Sequence, residues 1–340
     1  MAAVSTGAPS GGALISLRLP RTRAARLAIY VARRVLWMGP VLLFVITITF
    51  VLMHLAPGSP WDRGGGRQLS PAVIADLNSR YGLDKPLWAQ FGLYIWNVAH
   101  FDFGLSYQYT NQTVSSVLVE SWPITATIGV LAFLLIVPVG IGLGVVAALR
   151  QNSIVDYIAV GFSTFGAAVP NFVLGILLVM VFSVEAYKLS GGSVFLPPGG
   201  FGFDQHLILP VITLAVLPIA YIARLTRSST LDVLRMDYVR TAWAKGLGER
   251  LVVARHVLKN SLIPVVTALG PTFAFLITGS VIVETVFAIP GIGRSFVTAV
   301  SSRDYPMILA TTILYSVLIA LANLVVDILY TVIDPRVRLN

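Results

Sequence analysis

Side chains able to do covalent or acid–base chemistry are few in this chain and wrongly spaced for it. The four histidines (His54, His100, His206 and His256) are widely scattered without metal-ligand spacing, and there is no cysteine. No GxxxxGKS/T phosphate loop occurs; Ala244-Lys245-Gly246 lacks the glycines before the lysine and the hydroxyl after it. HExxH and GxSxG are missing. Asp102-Phe103-Gly104 copies a kinase signature, but neither the lysine strand nor the catalytic loop accompanies it. A proton-coupled carrier keeps a titratable group near the membrane midplane. Here Asp327 and His54 stand only at the ends of apolar runs, and Asn171 and Asn323 suit hydrogen bonds between helices. The expectation is a chain with no catalytic residue, no metal and no cofactor of its own, and no residue is singled out for cargo binding.

One stretch remains. Arg224 to Pro264 carries eight Lys/Arg against three Asp/Glu. Within it Asp237 is expected to cap a two-turn helix, Tyr238 to Lys245, which Gly246 ends in a left-handed conformation. A second helix, from about Glu249, is expected to return with Leu251, Leu258 and Leu262 on one face and Pro264 at the edge of the bilayer. Tyr238, Val239, Ala242, Trp243 and Ala244 hold too much apolar surface for a free loop, so the short helix reads as something another protein grips.

The elements that must position this stretch are membrane helices. Of 340 residues, 56% are apolar and only 11% charged, which describes an all-α polytopic membrane protein rather than a soluble domain. Six charge-free runs follow one another: Val35 to Trp61, Ser121 to Leu149, Tyr157 to Val184, Leu207 to Ala223, Asn260 to Val283 and Tyr305 to Val326. The first exceeds the roughly 7 to 15 apolar residues of a signal peptide and can cross roughly 30 Å of hydrocarbon, so it is read as a retained span. The fourth, holding Pro210 and Pro218, is expected to be short and bent. Gly140 and Gly144 form a GxxxG in the second run, read as tight packing and, weakly, as a surface toward a partner subunit.

Three regions are expected: a disordered basic tail over 1–28, a first helix with an extracytoplasmic insert over 29–118, and a core over 119–340 containing the loop 224–260. In the insert, Ser70 is placed to cap a helix beginning at Pro71, with Val73, Ile74, Leu77 and Tyr81 as its stripe. A second helix starts near Asp84-Lys85-Pro86 and repeats Leu87, Phe91, Ile95 and Val98, with interfacial Trp88, Tyr94 and Trp96 beside them.

Charge is sorted by loop. Arg18, Arg21, Arg23, Arg26, Arg33 and Arg34 precede the first run with no acid among them. The loop 224–260 and the tail with Arg336 and Arg338 are the other basic segments, and the Arg150 to Asp156 turn falls on their side of the bilayer. The insert (Arg63, Arg67, Arg80 and Lys85 against Asp62, Asp76, Asp84 and Asp102) and the stretches holding Glu185, Lys188 and Asp204, or Glu284, Arg294, Arg303 and Asp304, are balanced. The positive-inside rule then places both termini and the loop 224–260 in the cytoplasm, and accounts for the net charge of +9 without nucleic acid.

The loop also resembles the EAA motif in permease subunits of binding-protein-dependent ABC importers, Glu-Ala-Ala, three residues, then Gly. Arg240, Thr241 and Ala242 stand at the first three places and Gly246 at the glycine. The later Ile-x-Leu-Pro falls on His256, Val257, Leu258 and Lys259, keeping only the leucine. DYVRTAWAKGL with RHVLKNSLIPV looks like the version of the peptide/nickel branch. HLAPGSP, YGLDKPL, FGLSY, RLTRSS, ETVFAIPGIGR, RDYP and NLVVDILYTVIDPRVR extend the likeness from about Tyr30 to the end, in the manner of that branch's first permease subunit.

The resemblance implies the type I ABC importer permease fold in a bacterial plasma membrane. It also implies a second homologous permease subunit, two cytoplasmic ATPases carrying ATP and Mg, and an external solute-binding protein. Asp237, Tyr238, Arg240, Thr241, Ala242, Ala244, Lys245 and Gly246 become the ATPase-coupling residues, and peptides the expected cargo. Nickel chelates, glutathione, haem-like molecules and sugars share the scaffold. A secondary carrier would need the ion-binding group the spans lack, a membrane enzyme would need a catalytic constellation, and a receptor would need no kinked six-span bundle.

Overall fold

A computed structural model describes residues 23–61, 70–109, 112–193 and 195–333. The expected disorder of the first seventeen residues, Arg18, Arg21, Asp62, Arg63, Arg67, Arg336 and Arg338 lie outside the described residues. Helix α1 (Arg23–Leu55) begins inside the stretch expected as tail, so residues 23–28 belong to the helix.

Among the described residues, six helical segments are long and apolar enough to cross a membrane: Ala28–Leu55, Val114–Leu149, Asn171–Leu189, Gln205–Leu234, Glu249–Val286 and Tyr305–Ile328. Between the first two lie α2 (Pro71–Tyr81) and α3 (Leu87–Ala99). Ser70 Oγ accepts from Val73 N, Pro71 stands first in α2 and Gly82 closes it at φ +68°, as its sequence signals require.

The second span is α4 (Val114–Leu149). The run expected as the third span, Tyr157 to Val184, is not continuous: the segment long enough to cross begins at Asn171, and a shorter apolar helix precedes it. Helices α5 (Ile154–Ala168) and α6 (Asn171–Val179) are separated because Pro170 forces Val169 into an extended conformation, φ −86° and ψ 121°. A π-helical turn, Met180–Glu185, leads from α6 into α7 (Ala186–Leu189). The fourth span is longer than expected. Its helix α8 (Ile208–Leu234) runs past Ala223 and takes Arg224, Arg227 and Asp232 with it. Charge ends an apolar run but not a helix, because these residues keep their backbone hydrogen bonds and extend into the polar layer.

Then come α9 (Asp237–Ala244), α10 (Glu249–Val252), a π-turn over Val253–Val257, and α11 (Leu258–Thr278), which encloses Pro264. Gly279, at φ 90° and ψ 162°, breaks the fifth span, and Ser280 caps α12 (Val281–Val286). Helices α13 (Ile292–Ser302) and α14 (Tyr305–Ile333) complete the chain.

Helix α4 is the central post. Its Ile128, Ala132 and Ile136 are buried against Leu209, Leu214, Ile219 and Ile222 of α8, with Leu276 of α11 beside them. A Cβ built at Gly140 would lie 2.9 Å from Ile222 Cγ2, and one at Gly144 would lie 2.5 Å from Ala223 O. The GxxxG therefore packs α4 on α8 of the same chain, which replaces the expectation of a surface toward a partner subunit. Tyr30 OH and Arg34 Nη2 donate to Asp327 Oδ2 at 2.8 and 2.6 Å, so the start of the first span and the end of the last share one end of the bundle. Since successive spans alternate in direction, α9 lies at that end and the insert at the other.

Candidate functional site

Helix α9 is amphipathic over only two turns. Val239 and Ala242, three residues apart, are buried on Val233 of α8 and on Val252 and Val257 beyond the turn, with Leu234 and Leu247 at the margin. The valines on the far side are five residues apart, then burial continues at Ser261 and Val265 in steps of four. The π-turn over Val253–Val257 supplies that one-residue shift. It also corrects the expected face of Leu251, Leu258 and Leu262: Leu251 is 40% exposed, and Val252 and Val257 take the buried places.

Asp237 is not the cap. Met236 occupies that position without a side-chain hydrogen bond, and Asp237 is the first helical residue, exposed, where its negative charge faces the positive end of the helix. Thr241 Oγ1 donates to Asp237 O at 2.9 Å, and Arg240 lies 3.9 Å from the Asp237 carboxylate. At the other end Lys245 is the C-cap and Gly246 takes φ +78°, donating its N–H to Trp243 O at 2.8 Å. A Cβ on Gly246 would meet nothing within 4 Å, so the position demands glycine for its backbone and not for space. Asn260 Nδ2 donates to Tyr238 OH at 2.7 Å, tying α9 to the start of α11.

The outward side of α9 carries Tyr238, Arg240, Thr241, Trp243, Ala244 and Lys245, with Met236 preceding them. Trp243 and Tyr238 are each 41% exposed. Aromatic residues flanked by Arg and Lys on a rigidly seated helix have the composition of a protein-docking surface, not of a reaction centre.

Three buried acids went unrecognised in the sequence. Asp156, in the first turn of α5, accepts Arg227 Nε and Nη2 at 2.6 and 2.7 Å and Asn152 N at 2.9 Å. The guanidinium, held by hydrogen bonds first and by charge second, keeps this carboxyl below the usual carboxylate range. Glu284, expected in a polar loop, is buried; it accepts Thr125 Oγ1 at 2.8 Å and Arg294 N at 2.9 Å, joining α4, α12 and the start of α13. Asp304 was also read as a loop charge and is fully buried. Arg227 and Thr125, the side chains that bind Asp156 and Glu284, are 71 and 159 residues from them in the chain, so no local pattern announces these contacts. Asn171 begins α6 after Pro170, and its Oδ1 is buried without a hydrogen-bond partner. Asn323 is exposed on α14.

The family model described as binding-protein-dependent transport system inner membrane component matches residues 140–339, and the model of its N-terminal region matches residues 27–129. The chain belongs to this family. It is a multi-pass inner membrane protein and a permease component of a binding-protein-dependent transport system. The oligopeptide transport system permease protein OppB of Salmonella typhimurium is 43% identical to it over 309 residues, 91% of this chain and 99% of that protein. The dipeptide transport system permease protein DppB of Bacillus subtilis is 40% identical over 314 residues, 92% of this chain and 99% of that one. Among solved structures, a chain of the inward-facing MetNI methionine ABC transporter shares the fold with a TM-score of 0.51 at 17% identity, covering 64% of this chain and 96% of that one.

Proposed function

We propose that this chain forms half of the translocation path of an ATP-driven importer for peptides, and that α9 is where the motor grips it. The observation that carries the reading is the two-sided build of α9: a valine-seated inner face, and an outer face of Tyr238, Trp243, Arg240 and Lys245 left to a partner. Peptide cargo is supported by full-length similarity to permeases named for oligopeptides and dipeptides. The partners are a second homologous permease subunit, two ATPase subunits that bind ATP and Mg, and an external solute-binding protein. The chain itself is not an enzyme and holds no cofactor.

The α9 end is cytoplasmic, as are both termini, which agrees with the excess of Arg and Lys in the segments at that end. Closure of the ATPase pair pushes on α9, and the push reaches the spans because α9 joins α8 through Arg235 and Met236 alone. Access opens outward for the loaded binding protein and returns inward after hydrolysis. The energy comes from the different contacts the ATPases make with the two states. Asp237, Arg240, Thr241, Ala244 and Lys245 contribute to this contact, Ala242 seats the helix, and Gly246 sets its exit. The insert between the first two spans docks the binding protein or roofs the path. Deletion of residues 70–100 is expected to abolish stimulation of ATPase activity by the loaded binding protein; full stimulation in that variant would exclude docking there.

Gly246→Val is the direct test of α9. Reconstituted with its partners, it is expected to leave ATP hydrolysis running while uptake per ATP collapses. Wild-type uptake per ATP would remove the assignment.

A further inference from the structure

We propose that Asp156 and Arg227 form the joint through which motion of α9 reaches α5, the short helix before the third span. The inference rests on α9 being the driven element. Arg227 lies in the stem of α8, ten residues before Asp237, so about 15 Å of helix at most separates it from α9. Besides the seat that Val233 gives α9, the stem meets α4, α11 and α5. Against α4 it presents Thr226 beside Gly144, a contact of surfaces. Toward α11 it sends one hydroxyl bond, Ser229 Oγ to Ser261 O at 2.7 Å. Toward α5 it sends the two-pronged bond to Asp156, whose side chain is 2% exposed. Two parallel N–H···O bonds resist twisting as well as pulling, which neither of the other contacts does.

The acceptor is equally fixed. Asn152 N donates to Asp156 Oδ2, Ser153 Oγ accepts from Asp156 N, and Asn152 adopts φ 62°, so the turn from α4 into α5 and the start of α5 form one rigid corner. Higher up, Gly166 of α5 packs on Val216 and Ala220 of α8. Immediately beyond, Val169 and Pro170 break the helix, and Gly175 of α6 packs on Thr213 near the start of α8 and on Val286 and Phe287. Helix α5 is therefore fastened to the stem at both ends and released from α6 by an extended pair of residues. A break of this kind at an element end is where a moving body is hinged. A buried ion pair is weak evidence for stability in itself, since packed apolar groups serve a fold as well. Its placement on the stem gives it a use that an apolar contact would not meet: the stem and α5 turn together, with Val169–Pro170 absorbing the difference.

The test uses the assembled importer with spin labels. The chain has no cysteine, so Ile158→Cys on α5 and Ser228→Cys on α8, both exposed, report the α5-to-stem spacing cleanly. A second pair, Arg235→Cys and Asn323→Cys, reports movement at the root of α9 against α14. Without further substitution, the second spacing is expected to shift between nucleotide-free and ATP–vanadate states while the first stays constant. In Asp156→Asn and in Arg227→Lys, which keeps the charge but loses the fork, the first spacing is expected to shift as well, with ATPase subunits still bound. Assembled variants that keep the α5-to-stem spacing overturn the joint alone. Failure of both variants to assemble also overturns it, because the pair would then serve the fold. A root of α9 that does not move in the unsubstituted complex removes the α9 reading and the joint with it.

Discussion

The insert and α9 are fastened to the bundle by different means. At the insert end, buried polar groups bind distant segments: Asp304 Oδ2 accepts Ser106 Oγ, and also Gln108 N at 3.1 Å, while its Oδ1 accepts Met307 N at 3.3 Å. Arg303 Nη1 donates to Ser59 O at 3.1 Å, and Trp61, Tyr81 and Tyr107 pack ring to ring at 4.8–5.4 Å. At the other end α9 sits on a small apolar seat, with one side-chain tether from Tyr238 and its polar groups turned outward. Buried hydrogen bonds have narrow geometry and tie distant segments into one arrangement, whereas the apolar seat holds α9 by close packing and leaves its polar groups to a partner. The contrast suits a fixed platform at one end and a driven element at the other.

Substitutions can break or sharpen that contrast. The largest loss is expected from Asp304→Ala, which leaves the Ser106 hydroxyl and the Met307 amide without an acceptor, while Gln108 N keeps Ser106 Oγ. About 2–4 kcal/mol of stability should go, read as a lower thermal midpoint in detergent, with α9 still able to bind ATPases. Gly144→Ala comes next: its Cβ would sit 2.5 Å from Ala223 O, and forcing α4 off the stem is expected to cost about 1–3 kcal/mol by the same assay. Gly246→Val has open space but the wrong backbone preference, at about 1–2 kcal/mol. It should spare the midpoint and instead lower uptake per ATP, while Gly246→Asn, which tolerates left-handed backbone better, should do so less. Tyr238→Phe removes one exposed hydrogen bond, and a change of only about 0.5–1 kcal/mol is expected, seen as faster amide exchange in α9.

The smallest effect concerns pH. Because the carboxyl of Asp156 is held below its ordinary value of 3.8, its contribution is complete above that value and is lost only as pH falls through the lower, folded one. Protection of the Asn152 amide should therefore stay flat from about pH 5 to 8 and fall only in stronger acid. Loss of protection near neutrality would mean that the corner is not held by the carboxylate.

Local chemistry was legible residue by residue. Ser70-Pro71 opening α2, Gly82 closing it, and the two turns before Gly246 are all written in neighbouring side chains, since caps and left-handed turns depend on one or two residues. Boundaries set by charge misled. Arg224 ended the apolar run while the helix went on, and Asp237 looked like a cap because its type fits, though Met236 holds the position. Six spans and the existence of a short amphipathic helix outside them followed from apolar run length and periodicity, properties that sequence carries directly.

The tertiary structure alone decided which buried acids meet which donors: Asp156 with Arg227, Glu284 with Thr125 and the start of α13, Asp304 with the insert. It alone turned Gly140 and Gly144 toward α8, and let a π-turn bury Val252 and Val257 in place of Leu251. These outcomes depend on the rotation and depth of helices relative to one another. Packing over the whole bundle sets those quantities, and no single segment encodes them.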